Sequence, residues 1–559
     1  MTTKATDIQP RNGGRVLIDA LRNNGTERVF CVPGESYLAA LDALYDTPEI
    51  DVHVCRNEGG ASYMADAYGK MTGRPGVCFV TRGPGATNAS CGLHVAYQDS
   101  TPMILFIGQV ARQDMDREAF QEIDYRRMFG QVAKWVAQIE DASRIPEYVN
   151  RAYATATSGR PGPVVLALPE DMLTDLTSVA DIPAWKPIQT HPGQQDIAKV
   201  AAALESAERP LVIVGGSGWS EEARQNLEAL AASWNVPVAN SFRCQDYFDN
   251  DHPNYVGDLG IGISPALTER VKNADMLLVI GARLGEMTTR NYSLLDIPMP
   301  KQRLIHIHAS AEELGSVYQP EIAINASPAA FTAALAQVKP SHAPNWGPQT
   351  REAREQFVQW NSPITVGGDV QMAQIMDWLN KEIPDDAIIC NGAGNYTAWI
   401  HRFYRFKRVR SQLAPTNGAM GYGTPAAVAA KLVDPKRTVI AFAGDGCFMM
   451  NGQELATAKQ YGANIIVIVV NNSMYGTIRM HQEREYPTRV VATELQNPDF
   501  VALAEAYGAH AEYVTATEQF AEAFQRAQAS GKPALIEIRI DPDIISPNTT
   551  ITAIRAAAK

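Results

Sequence analysis

The sequence predicts an α/β protein built from three parallel-sheet domains. Three observations carry this. Short β-branched apolar runs recur along the chain, as in strands buried on both faces. They alternate with helix-length segments, the pattern of βαβ units. Two proline-bearing stretches, 181–194 and 339–349, interrupt the alternation and read as linkers. At about 150 residues per domain, the 559 residues suit three or four domains. The linkers favour three, with expected bounds of 8–180, 195–338 and 355–545.

In the first block, GVCFVT (76–81) and PVVLAL (163–168) read as strands. In the second, LVIVGG (211–216), MLLVIGA (276–282) and LIHIHA (304–309) do so. In the third, TVIAFAGDG (438–446) and NIIVIVVNN (464–472) are the clearest. Ligands of such sheets bind beyond the carboxyl ends of the strands, where this sequence places its glycine-rich turns.

Composition narrows the function classes. A net charge of -12 argues against a general nucleic-acid binder. It leaves anionic small molecules open, because a local site can be positive inside a negative protein. No stretch approaches the about 18 apolar residues of a membrane span. The first residues are polar and lack an apolar signal core. The seven cysteines include no CxxC pair and mostly sit in apolar runs, as reduced core thiols do. Together these predict a cytoplasmic enzyme without a nucleic-acid or membrane partner.

The strongest chemical signal lies in the third block. One strand ends in Gly444-Asp445-Gly446, and a helical segment around 453–461 follows. The next strand ends in Asn471-Asn472, followed by Ser473-Met474-Tyr475-Gly476. One βαβ step separates the two ends, so they can lie side by side. A carboxylate and an amide oxygen there suit a hard cation such as Mg²⁺, which takes its other ligands from water and phosphate. Gly444 and Gly446 let backbone N–H groups approach phosphates.

This GDG–NN segment resembles the binding motif of thiamine diphosphate (ThDP) enzymes. The resemblance implies Mg²⁺ ligation by Asp445, Asn472 and the backbone carbonyl of Met474, and diphosphate contacts from Gly394 and Asn395. Cys447, Tyr475 and Gly476 join the expected cofactor set. Gly418 and Met420, in NGAMGYGTPAA, match the segment that holds the aminopyrimidine, with Met420 beneath the bent cofactor. In the first block, RNEGGASYMADAYGKMTGRPGVCFVTRGPGATN resembles the acetolactate synthase pattern. It implies that the Glu58 carboxyl bonds the pyrimidine and favours its imino form. Gly83, Gly85 and Asn88 form the neighbouring turn. The family places this glutamate against the ThDP of a second subunit, so a homodimer is the minimal unit and a tetramer is expected.

REAFQEID (117–124) resembles the acetolactate synthase DAFQE segment. It puts Phe120 and Gln121 beside the reacting centre, with Gln121 able to donate to an oxyanion. Lys134 matches a family lysine that would guide an anionic oxo acid. Where acetolactate synthases carry a tryptophan after NN, this chain has His481, which should alter the acceptor. The central block resembles the domain that holds a redox-silent FAD in acetolactate synthases. Gly215, Gly216 and Arg283 could contact a diphosphate there, and relatives that bind ADP or nothing leave FAD open. The expected reaction is decarboxylation of a pyruvate-like 2-oxo acid, then carboligation to an acceptor carbonyl. The absence of a His-His pair weighs toward carboligation over simple decarboxylation. A ThDP-dependent decarboxylase or C–C lyase is the alternative, and a ThDP-binding protein with little catalysis a third reading.

Overall fold

The computed structural model describes residues 9–558. Among these residues, three six-stranded parallel sheets form the framework. The chain makes two compact units. The first runs to Ile188 and takes in 428–433; the second holds the remainder.

The first sheet comprises β1 (Arg28–Cys31), β2 (Asp51–Val54), β3 (Gly76–Val80), β4 (Met103–Gln109), β5 (Trp135–Gln138) and β6 (Pro163–Pro169). Its order is β2-β1-β3-β4-β6-β5. The helices α1 (Glu58–Thr72), α2 (Gly83–Asp99) and α3 (Ile145–Thr157) connect these strands. Val29, Phe79, Phe106 and Leu166 belong to one buried cluster, and the Phe79 and Phe106 rings stack at 4.7 Å. Each such side chain contributes roughly 1.5–3 kcal/mol by leaving water. Asn57 starts α1 by accepting the Gly59 N–H at 2.8 Å. The α1–α2 crossing needs Gly92, since a Cβ there would lie 2.2 Å from the Ser62 Oγ.

In the second unit, the central sheet comprises β7 (Pro210–Val214), β8 (Val238–Asn240), β9 (Tyr255–Asp258), β10 (Met276–Ile280), β11 (Arg303–His308) and β12 (Ile322–Asn325). Its order, β9-β8-β7-β10-β11-β12, is that of a doubly wound dinucleotide fold. Helix α4 (Gly347–Asn361) follows. It packs back on this sheet through Phe357, edge-on to Tyr255 at 4.9 Å. The expected start of the third block, residue 355, falls inside this helix.

The third sheet comprises β13 (Ile388–Asn391), β14 (Gln412–Leu413), β15 (Val439–Gly444), β16 (Ile466–Asn471), β17 (His510–Val514) and β18 (Ala534–Arg539). Its order is β14-β13-β15-β16-β18-β17, so it repeats the topology of the first sheet. Helix α5 (Asp445–Asn451) begins at the GDG aspartate, and α6 (Glu454–Tyr461) is the expected helical segment. Helices α7 (Gly476–Glu485) and α8 (Ile551–Ala557) pack together. The buried Glu483 carboxylate joins them, accepting Arg555 at 2.7 and 2.6 Å and Arg479 at 2.8 Å. Those bonds, Arg555 foremost, hold its pKa down at about 2.

The cysteines are all free, and six are buried as expected; Cys91 is exposed on α2. Among the described residues no helix is long and apolar enough to cross a membrane.

Candidate active site

In a parallel sheet the ligand crevice opens where neighbouring strands lead their chains to opposite sides. In the third sheet that point lies between β13 and β15. A cavity of about 660 Å³ opens there, its lining mainly apolar. Gly394 and Asn395 line it beyond β13, and Gly444, Asp445, Gly446 and Cys447 beyond β15. Asn472, Met474, Tyr475 and Gly476 line it beyond β16, and Gly418 and Met420 face it too. The structure thus brings every expected third-block cofactor residue to one cavity.

The local chemistry explains several of these residues. Gly394 has φ 145°, closed to side chains. A Cβ at Gly446 would lie 2.5 Å from the Tyr475 ring. Tyr396 is buried against the crevice. Its hydroxyl accepts the Gly392 N–H at 3.0 Å and meets the Cys447 Sγ at 3.5 Å. Asn395 accepts the Thr477 hydroxyl at 2.9 Å.

Asp445 is 2% exposed. Burial pushes its pKa above the ordinary carboxylate value, opposed by the Asn497 amide and nearby backbone N–H groups. A bound cation would reverse that push. Among the described residues no cluster of three His, Cys, Asp or Glu side chains could hold a metal. The donor set is therefore one carboxylate with the neutral oxygens of Asn472 and Met474. That set, beside a cradle of glycine backbone, fits Mg²⁺ completed by phosphate and water.

Sequence reasoning missed two groups around this cavity. Arg243, beyond β8, lines it from the central sheet. It donates to the Gly392 carbonyl at 2.9 Å and to the Pro415 carbonyl. Asn497 donates to Asp445 Oδ2 at 2.7 Å from the segment after α7. The first lies in a stretch with no motif, and the second is 52 residues from its partner. Neither left a local pattern to read.

His481 lies outside that lining in the single chain. It is exposed on α7, and the side chains that line the cavity from that helix are Thr477, Ile478, Met480 and Arg484.

In the first unit, Glu58 opens α1 at the carboxyl end of β2. Its Oε2 accepts the Asn88 amide at 2.9 Å. The carboxyl is half-exposed in the single chain. Gly83, Gly85 and Asn88, expected as a tight turn, lie instead in the start of α2, and its first turn is close: a Cβ at Gly85 would lie 3.6 Å from Glu58 Oε1. Gln121 lies beside that turn, its carbonyl accepting the Gly83 N–H at 2.9 Å. Gln121 has φ 67°, a left-handed geometry sustained by Glu122, which accepts the Asp116 and Ala119 N–H groups at 2.8 and 3.0 Å. Phe120 is 72% exposed next to it.

Lys134 lies away from this group in the single chain. It precedes β5, at the opposite end of the sheet from these turns. Its ammonium donates to the Thr155 and Ser158 carbonyls at 2.5 and 2.8 Å, closing the end of α3.

In the central domain, a Cβ at Gly215 would lie 1.9 Å from the Ser241 Oγ, and one at Gly216 2.0 Å from the Gly281 carbonyl. Arg283 pairs with Glu313 at 3.2 Å. These contacts give the three residues a packing and pairing role within the domain.

Three parallel sheets with a diphosphate cradle at the third define a ThDP-dependent enzyme of the three-domain class. Family models agree. Residues 11–128 match the N-terminal TPP binding domain of thiamine pyrophosphate enzymes, 197–335 their central domain and 392–538 their C-terminal TPP binding domain. A probable acetolactate synthase large subunit of Methanocaldococcus jannaschii is 32% identical over 95% of this chain and 92% of its own. The acetolactate synthase large subunit of Corynebacterium glutamicum is 31% identical over 95% and 87%. The acetolactate synthase isozyme 2 large subunit of Escherichia coli K12 is 30% identical over 95% and 96%. The chain belongs to the thiamine pyrophosphate enzyme family, with the acetolactate synthase large subunits.

Proposed function

We propose that this enzyme decarboxylates a small 2-oxo acid of the pyruvate type and joins the remaining carbanion to an acceptor carbonyl, as an acetolactate synthase does. The observation that carries the proposal is the convergence of Gly394, Asp445, Asn472 and Met420 on one cavity beyond the third sheet. ThDP, when bound, supplies the carbon nucleophile and takes up the electrons of the departing carboxylate.

The protein's own groups do the remaining work. Asp445, Asn472 and the Met474 carbonyl hold Mg²⁺, and the Gly394 and Gly444–Gly446 backbone receives the diphosphate. Met420 would brace the aminopyrimidine end of the cofactor, and the apolar lining would keep water from the reacting carbon. Glu58, steadied by Asn88, holds a proton at the pyrimidine nitrogen. Gln121 donates to the oxygen that gains charge when either carbonyl is attacked. Arg484, at the α7 wall, offers its guanidinium to the carboxylate the acceptor acid retains.

The active form is a homodimer or a tetramer made from it, in which Glu58 of one copy serves the cofactor of another. The half-exposed Glu58 and the exposed Phe120 support this reading. The site of action is the cytoplasm. Incubation of the Mg²⁺–ThDP-loaded protein with pyruvate should yield acetolactate. Acetaldehyde as the sole product would refute carboligation in favour of simple decarboxylation.

A further inference from the structure

Behind Asp445 runs a continuous polar line made by half-buried Asn497 and buried Asn471 and Glu537, side chains with no part in the proposed chemistry. Asn497 Nδ2 donates to Asp445 Oδ2 at 2.7 Å and to Asn471 Oδ1 at 3.1 Å. Asn471 Nδ2 donates in turn to Glu537 Oε1 at 2.7 Å. Asp445 and Asn471 are each 2% exposed, and Glu537 is 7% exposed. The line crosses three pieces of the third domain: the β15 end, the β16 end and β18. Asn497 reaches it because its segment returns beside the cation loop. There Tyr475 N–H donates to the Thr493 carbonyl at 2.9 Å, and Leu495 N–H to the Ser473 carbonyl at 2.9 Å.

Hydrogen-bond polarity gives this line a direction. The Glu537 carboxylate is an acceptor only. Asn471 must therefore turn its NH₂ toward Glu537, which leaves its carbonyl oxygen facing the other way. That oxygen receives the Ser473 N–H at 3.0 Å as well as the Asn497 amide. Asn497 must then present its NH₂, and not its oxygen, to Asp445. A flipped amide would set two acceptors face to face at the carboxylate.

We propose that Glu537 and Asn497 are positioning residues for the cation, with Glu537 setting the direction of an amide relay that fixes how Asp445 presents its carboxylate. This rests on the reading of Asp445 as a Mg²⁺ ligand. Outer groups of this kind commonly change metal affinity by about 10–100-fold.

The test titrates Mg²⁺ into the full-length apo protein at fixed ThDP, following ThDP capture by near-UV circular dichroism. Asn497→Leu and Glu537→Gln should each raise the Mg²⁺ midpoint by about tenfold or more, and saturating Mg²⁺ should restore kcat. The double variant should be no worse than the poorer single variant, because either change breaks the same relay. Multiplying single effects would overturn the relay. Wild-type titration of Asn497→Leu, alongside loss of capture in Asp445→Ala, would overturn it while leaving the cation site standing. Wild-type titration of Asp445→Ala would overturn the cation reading and the relay with it. Should Glu537→Gln fail to fold, Asn497→Leu, at a half-buried position outside the sheet, still decides.

Discussion

The first and third sheets have the same strand order yet use it differently. Each has its topological switch between its first and third strands, β1 and β3 in one, β13 and β15 in the other. In the first sheet the chain itself closes the crevice. A Cβ at Gly34, beyond β1, would lie 2.5 Å from the Thr81 Cβ beyond β3. The Ser36 and Thr81 hydroxyls bond at 2.9 Å across the same gap. In the third sheet the equivalent gap is the cavity lined by Gly394 and Asp445. One topology thus serves two purposes. An open crevice can hold a cofactor's tail, and a filled one gives a rigid platform that presents Glu58 and Gln121 from its turns.

The comparison makes separable predictions. First-sheet variants should lower turnover with cofactor affinity intact, and third-sheet variants should do the reverse. Glu58→Gln should lower kcat by about 10²–10⁴-fold with unchanged ThDP affinity; a wild-type rate would remove Glu58 from the chemistry. Asp445→Ala should weaken Mg²⁺ and ThDP together, by about 10²-fold, as read by calorimetry. Loss of one without the other would break the shared-site reading. Gln121→Ala should cost about 10²-fold in kcat, and a change confined to KM would move Gln121 from charge stabilisation to binding.

Two smaller effects sharpen the contrast between site and scaffold. Asp246 joins the central domain to the third sheet, accepting the Ser411 and Gln412 N–H groups at 3.1 and 3.3 Å. Burial pushes its pKa up to about 6. The unfolded chain gives up this proton near pH 4, so between about pH 4 and 6 it binds fewer protons than the folded protein. Stability from this group therefore falls as pH rises through that window. Asp246→Asn should flatten that slope, removing a loss of up to about 3 kcal/mol by pH 7; chemical melts at pH 4.5 and 7 would show it, and an unchanged slope would contradict the raised value. Lys134→Met should lower stability by about 1 kcal/mol through the lost α3 cap and leave kcat/KM for pyruvate within about twofold. A larger kinetic loss would return Lys134 to the substrate.

How much was legible follows from range. The GDG–NN pair was readable because apolar strands flank both motifs, and a single βαβ step sets their spacing. The meeting of Glu58 with the Gly83–Gly85 turn followed from a similar short reach. The Glu58–Asn88 bond was not foreseen, because two turns of α2 settle which side chain faces the carboxyl. Lys134 and His481 were placed by motif alone, which says nothing about which end of a strand or which side of a helix a residue occupies, and neither lines the cavity of the single chain. Asn497, Glu537 and Arg243 act across tertiary contacts that no local period encodes. The α4 helix shows the same limit: its ties to the central sheet, Phe357 against Tyr255 and Arg354 donating to the Tyr255 carbonyl at 3.2 Å, are tertiary.

Arg243 carries a lesson for recombination. The central domain contributes none of the cation ligands, yet one of its guanidiniums grips the Gly392 and Pro415 carbonyls that frame the crevice. A chimera that exchanges this middle cassette for another would inherit its partner's cradle only if an equivalent arginine travelled with the graft. The domains are modular in sequence and interlocked at the seam where the coenzyme must sit.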